Sequence, residues 1–282
     1  SIAGGLVGKG YIDLSGTVDN RSNLAIASPS SNLVVEAIQS KLTDTTENIN
    51  DKEHAVSALI YGSVGLRNLT VSEVSNINVY TNNTTIQTIR EIGSKAKGDL
   101  HTGGFIGYAS GSNFANIGLY FNNSDIVAKS LSYVAKNPKY DTNSAFCGGF
   151  AGELLGNSSL TNIEFAGYDE FSFEIIGTTT NLESIQNTKP GGKEFDGDSS
   201  DYKGENYIGG IVGRIKYTRI ENARFIGSEN YKNYIRMSGH ESPDSAFCGG
   251  IVGFIMVNEN NVPSSVINCA VSETEINGNA TC

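Results

Sequence analysis

The residue types that most often carry chemistry are few in this sequence and widely spaced. Its four cysteines show no CxxC spacing and no nearby histidine, so they do not indicate a zinc site. Its three histidines, His54, His101 and His240, occur in EHAV, LHTG and GHES and lack the His-Glu-X-X-His pattern of a metalloprotease. Each lies next to loop-like sequence, and we expect each to be a surface residue. The sequence therefore predicts no catalytic residue, no metal site and no cofactor.

One acidic segment, FDGDSSD, has the spacing with which a calcium-binding loop begins, at Asp196, Asp198 and Asp201. An EF-hand requires glycine at its sixth position and glutamate at its twelfth, whereas this segment has Asp201 and Tyr207 there. We therefore expect a solvated insertion. Paired carboxylates on neighbouring turns would indicate a β-helical polysaccharide-degrading enzyme. No outward column of the repeats described below stacks two acids beside a base, so the chain is predicted not to be an enzyme.

The charge of the chain and its apolar runs argue against two classes of partner. A formal net charge of −10 would repel nucleic acid and anionic lipid. No apolar run approaches the roughly 18 residues needed to cross a bilayer. Frequent Asn-X-Ser/Thr acceptors suit a secreted glycoprotein, and the candidate glycosylation sites are Asn20, Asn68, Asn82, Asn83, Asn122, Asn157 and Asn279. We expect an extracellular or cell-surface protein that neither binds nucleic acid nor inserts into a membrane.

A glycine-rich motif recurs along the chain. Its copies are AGGLVG, TGGFIG, CGGFAG, IGGIVG and CGGIVG, ending at Gly8, Gly107, Gly152, Gly213 and Gly253. A degenerate copy, ALIYG, ends at Gly62. A missing Cβ lets another backbone or a ring approach closely. Apolar residues at two adjacent positions after the glycine pair indicate a strand covered on both faces. A phosphate-binding loop is disfavoured, because the motif lacks the lysine and the helix start that such a loop uses.

A second element, centred on an asparagine, follows each copy after the first. The asparagines are Asn76, Asn116, Asn162, Asn222 and Asn268. In all five copies the residues two before, one after and three after the asparagine are apolar, which predicts a strand with one buried face. In stacked turns the amides could bond to each other as a ladder, since an amide both donates and accepts. The alternative is that asparagine only tolerates a left-handed turn here.

Each unit ends in a third apolar stretch, such as DIVAKS or YIRMS, so that it consists of three short strands joined by turns. Only NLVVEAIQSKL, near Asn32 to Leu42, could form a short helix. Three short strands cannot bury an apolar side alone, but turns stacked on each other can. We predict an all-β fold, a right-handed parallel β-helix (β-solenoid) with irregular loop insertions, formed as one domain over residues 1–282 by about six glycine-rich units.

The segments GGLVG, GGFIG and GGIVG, with VINCAVSETEING after the last, resemble the GLUG repeat, a glycine-rich module of secreted and cell-surface proteins. The resemblance covers most of the chain, roughly from Ala3 to Asn279, although the copy at Ala58 to Gly62 has lost its glycine pair. It implies an extracellular β-helical stalk or an adhesin-like surface structure. It carries no catalytic residue to this chain.

Cysteine positions and the two ends bear on assembly. Cys147 and Cys248 share a column, but the turn that carries Ile208 lies between them, so we predict no disulfide within one chain. Cys269 and Cys282 are the better candidate pair, and either could instead reach a neighbouring chain. Bare terminal turns expose unpaired backbone groups. The sequence is therefore predicted to be a segment of a longer chain or a subunit that associates end to end.

The predicted function is that of a structural or adhesive surface protein, as a filament subunit or stalk. One alternative is a carbohydrate-binding module, suggested by Tyr80 and Tyr120 beside the asparagines, with a glycan or another host or cell-surface ligand as the partner. A β-helical polysaccharide-degrading enzyme is less favoured. Glu164 and Arg224 fall in one outward column, where we expect a weak, exposed ion pair.

Overall fold

The computed structural model describes residues 2–10, 14–15, 22–26, 33–39, 55–64, 72–90, 99–130, 144–167, 174–179, 206–228, 233–238, 246–257 and 263–279. In this part of the chain every regular element is a β-strand. All of the strand pairs are parallel. The all-β prediction is confirmed, and the parallel pairing is compatible with a β-helix.

The first sheet has six strands. In spatial order they are β1 (Ile2–Gly4), β6 (Ala55–Ala58), β10 (Leu100–Gly103), β14 (Ala145–Gly148), β17 (Asn206–Gly209) and β20 (Ala246–Gly249). Their register places Ile208 between Cys147 and Cys248. This position of Ile208 agrees with the sequence prediction, and it separates the two free thiols by two strand spacings.

The second sheet has 12 strands, which lie along two neighbouring rows. One row contains β2 (Val7–Gly10), β7 (Tyr61–Val64), β11 (Ile106–Ser110) and β21 (Val252–Met256). The other contains β3 (Leu14–Ser15), β4 (Ser22–Ile26), β8 (Ser72–Asn82), β12 (Ser112–Asn122), β22 (Ser265–Ile267) and β23 (Ala270–Ser272). Two long strands, β15 (Ala151–Gly167) and β18 (Val212–Ile226), run through both rows and join them into one sheet.

A bulge separates the two rows where β15 pairs with β18. Leu155 pairs with Lys216 and Ser158 pairs with Thr218, so β15 contains one residue more than β18 at this corner. The corner residues have positive φ: Gly156 at 61° and Asn157 at 67° in β15, and Tyr217 at 56° in β18. Beyond the bulge the register continues without a further shift.

The third sheet has six strands. In spatial order they are β5 (Leu33–Gln39), β9 (Thr84–Arg90), β13 (Asp125–Ser130), β16 (Glu174–Thr179), β19 (Asn233–Ser238) and β24 (Thr274–Asn279). The prediction of a short helix near Asn32 to Leu42 is wrong, because β5 occupies this segment. Val35 and Ala37 are buried while Val34 and Ile38 are exposed, which is the two-residue period of a strand with one covered face.

The chain passes through the first, second and third sheets in the same order six times. Each new pass adds its strands beside those of the previous pass, so equivalent residues of successive passes are direct neighbours. Phe105 and Phe150, each the residue after a glycine pair, stack with ring centroids 5.0 Å apart. Phe165 and Phe225, each three residues after a repeated asparagine, stack at 5.5 Å. The apolar core is thus built of columns that run from pass to pass.

The glycine motif forms the corner between the first two sheets. A Cβ on Gly148 would lie 2.1 Å from the carbonyl oxygen of Ala151, three residues later in the same pass. A Cβ on Gly149 would lie 2.2 Å from the carbonyl oxygen of Gly210 in the next pass, and one on Gly152 would lie 2.7 Å from that of Gly107 in the previous pass. All three glycines are therefore required by close approach of other backbone, as the motif predicts.

The residues after the glycine pair are buried in the inner passes. The prediction that they form one strand covered on both faces is wrong, because β10 ends at Gly103 and β11 begins at Ile106, so Phe105 lies at the corner between two strands. Phe105, Ile106, Phe150 and Ala151 are all fully buried. The ring of Phe165 also uses the space that glycine leaves, because a Cβ on Gly149 would lie 3.1 Å from it. The motif is explained by packing within the corner.

We predict that Gly149→Ala lowers the free energy of unfolding by about 3 kcal/mol or more, because the new methyl group meets a fixed carbonyl. Chemical denaturation followed by circular dichroism measures the change. Gly8→Ala is the matched control, since a Cβ there would meet its nearest neighbour, the Ile2 carbonyl oxygen, at 3.6 Å. Equal losses in the two variants would contradict the role assigned to the corner.

Candidate binding surface on the asparagine face

The repeated asparagines lie in one column on the outward side of β8, β12, β15 and β18, which we call the asparagine face. Asn116 Nδ2 donates to Asn76 Oδ1 at 2.9 Å. Asn162 Nδ2 donates to Asn116 Oδ1 at 2.8 Å, and Asn222 Nδ2 donates to Asn162 Oδ1 at 3.0 Å. The passes that contain Asn116, Asn162 and Asn222 thus each donate one amide hydrogen bond to the pass before. In the described part of the chain, the ladder ends at Asn222, and Asn268 occupies the next position without a rung.

All five asparagines also adopt the left-handed backbone conformation, with φ between 52° and 57°. The ladder and the left-handed turn are therefore two properties of the same residue, and asparagine suits both because its short amide tolerates positive φ. The turn explains the apolar pattern around it. Val74 and Ile77, two residues before and one after Asn76, are both buried, which an unbroken two-residue alternation would not allow.

A shorter second ladder lies where the second sheet leads into the third. Asn123 Nδ2 donates to Asn83 Oδ1 at 2.5 Å, and both residues have positive φ, 44° and 50° respectively. Sequence analysis missed this pair and treated Asn83 as a glycosylation acceptor. The available signal was spacing, because each residue follows a ladder asparagine, Asn76 or Asn116, by seven positions.

A groove of about 380 Å³ opens on the asparagine face. It is lined by Ile117, Tyr120, Asn162, Ile163, Glu164, Asn222, Arg224 and Asn268. Tyr120 stacks on Tyr80 of the previous pass, with ring centroids 4.9 Å apart and an angle of 17° between the planes. A Cβ on Gly118 would lie 2.8 Å from the Tyr120 ring, so glycine lets that ring lie against the strand.

Charged side chains of two passes meet in this groove. Glu164 and Arg224 are register partners. The ion pair predicted between them does not form, since the ion pairs among the described residues involve other side chains. The Tyr120 hydroxyl instead donates to Glu164 Oε1 at 3.0 Å. Arg224 is exposed. The groove therefore combines an aromatic ring, amide groups, a carboxylate and a guanidinium.

The other predicted site residues are spread over the molecule. Asn20 and Asn68 lie outside the described residues, Asn82 and Asn83 are half-buried, Asn157 is exposed, and Asn279 ends β24. Asn122 is only 5% exposed, so its amide is not open to a glycan in this fold. Glycosylation of the remaining acceptors stays a prediction.

The candidate disulfide and the acidic segment include residues outside the described part of the chain. Cys282 lies outside the described residues, so its pairing with Cys269 stays a prediction. Asp196, Asp198 and Asp201 also lie outside this part of the chain. Among the described residues, no three His, Cys, Asp or Glu side chains cluster so as to hold a metal ion, and no helix has the length and apolarity of a membrane span.

One charged cluster was missed by sequence analysis. His101 was expected at the surface, but it is 1% exposed, and its Nδ1 lies 3.4 Å from Glu153 Oε2. Arg214 Nε donates to Glu153 Oε1 at 2.6 Å, and the Arg214 guanidinium lies 4.1 Å from the centroid of the Phe146 ring. The sequence does contain a signal for this contact. Glu153 and Arg214, which have opposite charges, each follow the last glycine of the motif in successive passes.

Burial governs the electrostatics of this cluster. Loss of solvent raises the pKa of Glu153 to about 7, although the neighbouring Arg214 charge opposes the shift. Loss of solvent, followed by the Glu153 charge, also raises the pKa of the Tyr108 hydroxyl. Glu153 and His101 are each no more than 2% exposed, so a substrate cannot reach them in this arrangement. The cluster joins the two sheets across the glycine corner.

We predict that Asn162→Gly lowers the free energy of unfolding by about 1 kcal/mol more than Asn268→Gly does. Glycine keeps the left-handed backbone in both variants, but only Asn162 has rungs to lose, one donated and one accepted. Urea denaturation of the two variants separates the ladder from the turn. Indistinguishable losses would show that the turn alone selects asparagine.

A second prediction concerns pH. Because the pKa of folded Glu153 is raised to about 7, the folded state retains a proton that the unfolded chain releases above about pH 4.5. The associated stability is present in full below that pH and is lost as the pH rises to about 7, a change of up to about 3 kcal/mol. Glu153→Gln should remove this component from a denaturation series between pH 4 and 8. Glu164→Gln, a change on the solvent side of the sheet, is the control and should leave the component in place.

Comparison with protein-family models, curated proteins and solved structures found no match for the chain. The resemblance to the GLUG repeat therefore stays a prediction that depends on the quoted segments. Functional inference for this chain depends on the geometry of its own residues, and the asparagine face is the surface on which that geometry is most specific.

Proposed function

We propose that the chain is a right-handed parallel β-helix, a β-solenoid, that acts as a non-enzymatic extracellular structural or adhesive protein at the cell surface. The observation that carries the proposal is the asparagine ladder. Three successive rungs join four passes of the chain, which requires equivalent residues to lie above one another. A stack held in this way gains cohesion along its long axis, as a stalk or a filament subunit must.

The two outermost passes support association in the axial direction. Among the described strands, β1 and β20 lie at the two edges of the first sheet. Exposed large apolar side chains occur in the passes that contain these strands, including Ile2 and Leu6 in one, and Val257 and Ile276 in the other. We propose that these edges pair with another copy of the chain or with further parts of a longer one, since an open strand edge is a template for pairing.

Carbohydrate binding is a second candidate function, favoured by the stacked pair of Tyr80 and Tyr120. An aromatic ring beside exposed amides is suited to a sugar, which has an apolar ring face and hydroxyl groups around its rim. Such binding is compatible with an adhesive scaffold. A glycan array probed with the purified chain tests this candidate directly.

The scaffold proposal predicts an elongated particle in electron microscopy, with a spacing of about 4.8 Å between passes along its axis. End-to-end association would add longer particles as the protein concentration rises. Compact particles without an axial repeat would contradict the solenoid. Turnover of acidic polysaccharides, abolished by one carboxylate substitution, would contradict the non-enzymatic assignment.

A further inference from the structure

We propose that the groove beside Tyr120 binds an acidic saccharide, with one pyranose ring stacked on Tyr120 and its carboxylate bound by Arg224. This inference depends on the carbohydrate-binding candidate and specifies its site and its ligand class. Three features of the groove support it: a stacked tyrosine that lines it, the end of the asparagine ladder, and an exposed guanidinium.

The first feature is the stacked tyrosine pair, one member of which lines the groove. Tyr80 and Tyr120 occupy the same position in successive passes and stack closely. The next residue in this column is Ala166, which has no ring to continue the stack, and the Tyr120 side chain lines the groove at this point. In the binding mode that we propose, a flat ligand of pyranose size lies against the Tyr120 side chain where it lines the groove. The apolar face of a sugar is suited to this contact.

The second feature is the end of the ladder. Asn222 donates its amide to Asn162, and the described residues supply no rung from Asn268 to the Asn222 carbonyl oxygen. Asn222 and Asn268 are both exposed and both line the groove. Their amides present donors and acceptors side by side, which match the hydroxyl groups of a sugar.

The third feature selects an acidic ligand. Arg224 is exposed and forms no ion pair within the described part of the chain, while the Tyr120 hydroxyl occupies one oxygen of its neighbour Glu164. A guanidinium binds a carboxylate through two parallel hydrogen bonds. The whole chain has a net charge of −10, which opposes a general attraction of polyanions, so a preference for an acid would come from this local contact. The same charge disfavours nucleic acid, which could also stack on tyrosine.

The test is a titration calorimetry panel of uronic-acid and sialic-acid oligosaccharides, each paired with its neutral methyl ester. We expect the wild-type chain to bind at least one acid about tenfold or more tightly than its ester. Tyr120→Ala should weaken the acid and the ester alike by about tenfold, whereas Tyr120→Phe should retain binding because it keeps the ring. Arg224→Gln should abolish the difference between acid and ester.

Arg219→Gln is the matched control for Arg224→Gln. Arg219 is an exposed arginine of the same strand that pairs with Glu221 outside the groove, and its replacement should leave every affinity unchanged. Circular dichroism establishes that each variant is folded. Equal binding of acids and esters would overturn the acidic ligand class and leave carbohydrate binding in place. Absence of binding to the whole panel would overturn the inference, and a blank glycan array as well would overturn the carbohydrate-binding candidate itself.

Discussion

Parallel strands of successive passes must lie at the fixed separation of backbone hydrogen bonding, and the rest of this structure depends on that constraint. At about 4.8 Å, a residue in one pass has the equivalent residue of the next pass as its closest lateral neighbour. A residue type at a repeated position is therefore favourable when it packs well against the equivalent residues of the neighbouring passes. Phenylalanine rings stack, amides bond in series, and glycines are required where backbone meets backbone at the corner.

This constraint also explains which features could be predicted from sequence. A position that contacts its own copies tends to repeat, so the glycine motif and the asparagine column can both be recognised in the sequence, although the motif predicts a strand where the structure has a corner. The left-handed conformation of Asn116 was predicted only as an alternative to the ladder. The backbone conformation and the amide hydrogen bond both favour asparagine at this position, so the sequence alone does not distinguish them. The segment around Val35 is compatible in sequence with a short helix, because the strand that it pairs with, β9, is remote in sequence and leaves no local signal.

Positions that differ between passes were harder to predict. His101, Glu153 and Arg214 belong to neighbouring passes and are chemically unlike, so no column of identical letters marks them. Their association follows from the fold of the corner, which turns the outward positions of the first two sheets toward each other. The groove on the asparagine face could also be predicted only in part. Tyr80 and Tyr120 could be noticed in the sequence, but the contact of Tyr120 with Glu164 needed the register of three passes.

The bulge between Leu155 and Ser158 shows how the molecule accommodates a change of length. One pass contains an additional residue there, yet the pairing of Leu160 with Ile220 and of Phe165 with Phe225 is kept. A corner with left-handed residues thus accommodates an inserted residue locally, and the side chains that point inward after the corner stay the same. In evolutionary terms, such corners are places where single-residue insertions and deletions can accumulate while the stack retains its phase, and where a designer could graft a loop of chosen length.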